Sequence, residues 1–234
     1  MKQLRIFGLL VAVLAMTSCN KTKDEATGTG DVFIVSQKVE STTVYGLSMA
    51  AYTLSAFSNV KVVSSADTTK VYTLASSQGF NSSMFYDTPV SEFTSTKPTA
   101  ATFTFSAIFQ NGVKEKFQNI LTDVVLPIPT FEKCAYNDTT HRLEMNWTSI
   151  STANVYTVNI LDGSKMVFNS VLLKNSVSPG LALRADGGGW DPTFTPASGK
   201  TYKVRLFAYM YEPGGGPLNI QSISIADSTV VWGN

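Results

Sequence analysis

One histidine and two cysteines are all that the chain offers of the residues most often used for acid–base, metal and thiol chemistry. His141 stands in Asn137-Asp138-Thr139-Thr140-His141-Arg142, a polar stretch between two alternating segments. A catalytic histidine needs an orienting acid and a nucleophile close by. Asp138 could orient it, but no serine sits in a Gly-x-Ser-x-Gly elbow, so His141 reads as an exposed turn residue. A histidine-rich or thiolate zinc site cannot be assembled from this stock within one chain. Glycoside hydrolysis needs two carboxylates about 5–10 Å apart. The 17 Asp and Glu residues are scattered singly, and no pair is signalled. Asp186-Gly187-Gly188-Gly189-Trp190-Asp191 could bend around calcium through its two aspartates, but the spacing is not that of a calcium loop. No lysine follows the glycines as in a phosphate loop, so the segment reads as a glycine-rich turn. No enzymatic activity, metal or cofactor is expected.

The aromatic residues are more informative. In Thr201–Tyr211, alternation points Tyr202, Val204, Leu206, Ala208 and Met210 inward and Lys203, Arg205, Phe207, Tyr209 and Tyr211 outward. Three successive outward aromatics beside an arginine form a stripe suited to the C–H faces of sugars. Trp190, on its glycine-rich loop, is expected to stand open as a further platform. Two readings of the stripe remain: an open binding surface, or a face packed against the N-terminal half of the chain or the loop 174–195, because apolar patches usually have a partner.

The elements that must carry these residues are strands. Apolar residues make up 44% of the 234 residues and charged ones only 15%, which excludes a disordered charged tail. Ser and Thr together number 52, a composition that favours strands and turns over helical bundles. The net charge of +1 gives no global attraction to nucleic acid. Period-two patterning predicts strands over 31–39, 44–57, 60–63, 70–74, 101–109 and 114–125. A second set follows at 130–136, 142–148, 155–161, 166–173, 201–211, 218–225 and 229–232. Asn111-Gly112 and Asp162-Gly163 are hairpin signals. Leu126-Pro127-Ile128-Pro129 interrupts the pattern, because neither proline can donate to a sheet, and a stiff junction is expected there. Cys134 alternates into a strand and reads as a buried structural thiol.

Two tandem antiparallel β-sandwiches are therefore expected, at 31–126 and 127–234, in an all-β fold. The second resembles a fibronectin type III module. The resemblance rests on Trp147 closing Leu143-Glu144-Met145-Asn146-Trp147, on the strand Tyr156–Ile160, and on Pro196–Leu206, which looks like a tyrosine corner built on Tyr202. The first sandwich resembles an immunoglobulin-like domain. Its segment Pro98–Phe105 echoes the corner, with Phe103 in the place of Tyr202, so packing alone would hold it. Such folds host many functions and imply no chemistry.

The N-terminus reads as an address. Lys2 and Arg5 precede an apolar run, Ile6–Ala15, far too short to span a bilayer. Met16-Thr17-Ser18-Cys19 resembles a bacterial lipobox, with methionine where leucine is commonest. The resemblance implies cleavage of residues 1–18, lipidation of Cys19 and a tether over 19–30. Lys23, Asp24 and Glu25 lie where Bacteroidota-type lipoproteins carry a surface-export signal. Three runs, at Asp67, Asp138 and Asp227, resemble the O-glycosylation sequon of that group. With Lys2 and Arg5 removed, 16 basic side chains face 17 acidic ones. The expected protein is a lipid-anchored, surface-exposed outer-membrane lipoprotein that binds polysaccharide or, alternatively, serves as a structural or adhesive subunit contacting another surface protein. Phe207, Tyr209, Tyr211 and Trp190 are its candidate ligand-binding residues, its membrane contact is the lipid, and nucleic acid is not a partner.

Overall fold

The computed structural model describes residues 26–77 and 79–233. The expected signal segment 1–18 and Cys19, Lys23, Asp24 and Glu25 lie outside the described residues. The fold is all-β and sandwich-like. In chain order the strands are β1 Gly28–Val39, β2 Thr42–Thr53, β3 Phe57–Ser64, β4 Val71–Ser77, β5 Phe80–Asp87, β6 Ala101–Phe109 and β7 Lys114–Leu121. There follow β8 Phe131–Asn137, β9 Arg142–Trp147, β10 Val155–Asp162, β11 Lys165–Asn169, β12 Leu173–Lys174, β13 Gly180–Leu183, β14 Lys200–Tyr211 and β15 Ile220–Trp232. No helix among the described residues is long and apolar enough to cross a membrane.

Several elements depart from the sequence expectation. The tether expected over 19–30 ends early: Ala26 is buried and β1 begins at Gly28. Composition misled here, because Gly28 and Gly30 are small for a packing reason. A Cβ at Gly28 would lie 2.7 Å from the Phe117 ring, and one at Gly30 2.7 Å from the Phe105 ring. The strand expected over 44–57 breaks at Leu54–Ala56, so β2 and β3 enter different layers. Strands β5 and β13 carried no clear alternation and were not expected. The segments 218–225 and 229–232 are one strand, β15. In the turn after β6, only Gly112 takes a positive φ, +81°. Asn111 instead accepts the Val113 N–H on its side-chain oxygen at 3.1 Å.

The first core gathers Val32, Ile34, Met49, Phe57, Phe103 and Phe105 between β1, β2 and β5 on one side and β3, β6 and β7 on the other. Strand β4 pairs with both β3 and β5 and so joins the layers. The N-terminal half of β1 closes against β7 through side chains: the Gly28 N–H donates to Glu115 at 2.8 Å and the Val32 N–H to Asn119 at 3.1 Å. The second core, around Trp147, Tyr156, Tyr202, Val204 and Leu206, lies between the sheet β13-β9-β8 and the run β11-β10-β14-β15. Leu126, expected in the first sandwich, packs in this second core.

The two cores share one sheet. β1 pairs with β15 in parallel, Ile34 to Gln37 against Ser222 to Ile225, giving the continuous order β11-β10-β14-β15-β1-β2-β5-β4-β3-β6-β7. Beneath this seam runs the proline-rich linker. The Leu126 N–H donates to Ser222 Oγ at 2.9 Å, and the Ser224 hydroxyl donates to the Pro127 carbonyl at 2.8 Å. Both serines are buried. These bonds supply partners to linker groups that would otherwise be buried unpaired.

Candidate functional site

The site is the outer face of the shared sheet. Directly paired residues in neighbouring strands share a face. Tyr209 pairs with Val155 on β10 and Ile223 on β15, Ile223 pairs with Val35 on β1, and Val35 with Gly46 on β2. Gly46 is required there, because a Cβ would come within 2.3 Å of the Phe93 ring lying over it. The segment carrying Phe93 is fixed by reciprocal backbone hydrogen bonds between Tyr45 and Thr94. A row of half-buried apolar side chains thus crosses both sandwiches, and Phe207 and Tyr211 flank its second-sandwich end.

Phe207 and Tyr209 lie nearly parallel, centroids 6.3 Å apart with 26° between planes. The Tyr209 hydroxyl is 3.2 Å from Thr157 Oγ1, which orients the ring. Burial pushes the Tyr209 phenol above its ordinary pKa, partly countered by that hydrogen bond, and burial likewise raises Tyr211. Both stay neutral at physiological pH. Beside them Arg205 grips Asp227 with two bonds, Nε to Oδ1 at 2.8 Å and Nη2 to Oδ2 at 2.9 Å, and Lys203 adds a third at 2.7 Å. Burial pushes the Asp227 carboxyl up, but the bonds from Arg205 and Lys203 outweigh it and hold it low. The arginine is therefore committed within the protein. What the face offers is flat, neutral aromatic surface.

Trp190 does not join it. The expectation that it stands open is corrected by its packing. Its ring meets Phe168, Phe194 and Trp232 at centroid distances of 5.0, 5.7 and 5.4 Å, and its indole N–H donates to the Arg184 carbonyl at 2.9 Å. Gly189, at φ +97°, turns the chain so that the ring folds back over Phe168. Asp191 is held by Lys165 at 2.9 Å and by the backbone N–H and hydroxyl of Thr193, which keep its carboxyl well below the usual range. Asp186 meets Arg184 at 3.3 Å. Among the described residues no three His, Cys, Asp or Glu side chains come together as a metal site. His141 is exposed and takes a positive φ of 52° in its turn. Cys134 is half-buried rather than fully buried; burial raises its thiol, with a weaker opposing hydrogen bond to Ser228.

Three participants were not expected: Ile223, Val35 and Phe93. The segment Ser222-Ile223-Ser224-Ile225 alternates, but the usual reading puts isoleucines inside. Here the serines face the linker, while Ile223 lies half-buried on the outer face and Ile225 beside it is buried. A fourth unexpected group is Asp31, a carboxylate only 2% exposed, with Oδ2 accepting the Ile220 N–H at 2.8 Å and Oδ1 unpartnered among the described residues.

No family model and no curated protein matches the chain. Among solved structures, a tetra-tandem repeat in the extending region of a large adhesion protein is 18% identical, with 87% of this chain and 50% of that one covered and a TM-score of 0.26. The BSP domain of a biofilm-associated protein is 15% identical, covering 87% and 29%, at 0.24. Trypsin-activated alpha-2-macroglobulin from Escherichia coli is 10% identical, covering 87% and 16%, at 0.25. The chain thus spans half or less of the length of each. Superpositions this loose transfer neither fold nor function.

Proposed function

We propose that this chain is a non-enzymatic binding module, held on the outer face of the outer membrane by lipid on Cys19 and directed there by Lys23, Asp24 and Glu25. Its ligand class is polysaccharide, taken on the aromatic face of Phe207, Tyr209 and Tyr211. The observation that carries this reading is the flat aromatic row, half-open and electrically neutral, on a sheet braced by both sandwiches. Apolar faces of this kind mark interaction sites. The sheet order β11-β10-β14-β15 over β13-β9-β8, with Tyr202 accepting the Ala197 N–H at 2.9 Å, supports the fibronectin type III resemblance of the second sandwich.

The parallel β1–β15 pair and its serine-bound linker favour a second reading, a stiff structural or adhesive spacer. Retention of the wild-type protein on a panel of immobilised neutral polysaccharides separates the two. Binding supports the module, and uniform failure to bind leaves the spacer. For the anchor, Cys19→Ala should release the protein from membranes, since lipid is the anchor the reading requires. Labelled fatty acid that fails to enter the wild-type protein would remove it.

A further inference from the structure

A second face of the molecule carries a different chemistry. On β3, β6 and β7 the inward residues fill the first core, and the partners opposite one another on the other side face solvent. In one row Lys61 stands opposite Ser106, and Ser106 opposite Lys116. In the next row Asn59 pairs with Ile108, and Ile108 with Lys114. The three lysines are exposed, and none forms an ion pair with another described residue. The neighbouring acid, Glu115, points to the other side of β7, where it accepts the Gly28 N–H. A groove of about 410 Å³ runs between these side chains. That volume suits a short stretch of ligand.

Glu115 also borders the groove, but its carboxylate is turned to the Gly28 N–H, so three lysines leave this face net positive in a chain whose overall balance is near neutral. Lys61 and Lys116 are two strands apart, roughly 9–10 Å at the backbone. Between and beside them lie neutral hydrogen-bonding groups: Asn59, Ser106, and the Thr104–Gln118 pair, in which the amide donates to the hydroxyl at 3.2 Å. No outward position on these three strands is aromatic, so bases have nothing to stack on, which argues against single-stranded nucleic acid. Spaced cations with hydroxyl and amide partners between them match a polymer that alternates carboxylates with hydroxyls.

We propose that the outward face of β3, β6 and β7 binds an acidic polysaccharide, with Lys61, Lys114 and Lys116 pairing its carboxylates and Asn59 and Ser106 bonding its hydroxyls. The site is separate from the aromatic face and does not depend on it.

The test uses the full chain on immobilised polygalacturonate at low ionic strength, with dextran as the uncharged control. Wild type should be retained on polygalacturonate, fail to hold dextran through this face, and be released as salt screens the contacts. The variant K61Q/K114Q/K116Q should bind about tenfold more weakly, as expected for the loss of three exposed ionic contacts, with an unchanged melting temperature. If that variant folds poorly, Lys116→Gln alone should still weaken retention severalfold. Asn59→Ala should weaken it without altering the salt dependence. Tyr209→Ala should leave it unchanged, which keeps this site's outcome distinct from that of the aromatic face. Absence of retention on polygalacturonate, or equal retention of the triple variant, would overturn the proposal. So would equal binding to poly-glutamate or to phosphatidylglycerol vesicles, which would show charge attraction or lipid docking instead.

Discussion

The Asp31 carboxylate accepts the Ile220 amide at 2.8 Å across 189 positions of sequence, tying the start of β1 to the start of β15. The contact sits where the two sandwiches merge into one sheet. It is made by a group that water scarcely reaches.

Burial raises the Asp31 pKa from 3.8 to about 7; the Ile220 N–H opposes the shift and Glu212 adds to it. The proton is therefore bound more tightly in the folded state. Its stabilising contribution is complete below about pH 4 and is lost as pH rises through about 7. The full difference is on the order of 4 kcal/mol. Asp31→Asn removes the titration while keeping an acceptor for Ile220. The variant should exceed wild type in stability at pH 8 and converge with it toward pH 4, as read by urea unfolding across that range. Parallel profiles would mean that Asp31 is not the group titrating at the seam.

Tyr202→Phe should cost about 1–3 kcal/mol, because the part-buried hydrogen bond from the Ala197 N–H to the hydroxyl of the buried Tyr202 is lost. Tyr156→Phe should cost a similar amount, since its hydroxyl accepts the buried Ile150 N–H at 2.9 Å, while its ring contact with Trp147 would remain. Chemical denaturation measures both. A loss of only a few tenths from either would show that the backbone amide finds another partner.

Gly30→Ala should destabilise the first sandwich by about 1–3 kcal/mol through overpacking, since the added methyl meets the buried Phe105 ring at 2.7 Å. Equilibrium unfolding compared with the double variant Gly30→Ala/Phe105→Leu checks the cause. The smaller partner should recover part of the loss.

The contrast between these sites explains what the sequence could reveal. The all-β class, the alternation of Phe103, Phe105, Ala107 and Phe109, and the inward placing of Tyr202 were legible because each is set by neighbours within a few residues. The joining of two sandwiches through β1 and β15 was not. It depends on residues separated by nearly the whole chain, and Ser222 and Ser224 invert the usual rule by facing inward to bond a linker. The half-burial of Trp190 was hidden for a related reason. Glycines predict a loose loop, yet Gly189 is what folds the ring onto Phe168. The outward placing of Phe207, Tyr209 and Tyr211 followed from period two, whereas Val35 and Phe93 reached the same face through pairing that no local pattern records.

Trp190→Ala should accordingly behave as a packing variant. Loss of contacts with Phe168, Phe194 and Trp232 should cost roughly 3 kcal/mol, with retention on any polysaccharide unchanged at temperatures where the variant is folded. Differential scanning calorimetry beside a retention assay checks both halves. Weaker retention with an unaltered melting temperature would return the residue to the ligand site.

The most direct measurement is Tyr209→Ala, followed in parallel by thermal unfolding and by retention on the neutral polysaccharide that holds wild type best. Tyr209 sits midway along the aromatic row, and its contacts with Phe207 and Thr157 are local to that face. Retention should weaken by roughly 1–3 kcal/mol, taking base stacking on aromatic rings as the scale, while the melting temperature falls only slightly. Unchanged retention together with a large drop in melting temperature would contradict a binding role for this face and leave it as part of the joint between the two sandwiches.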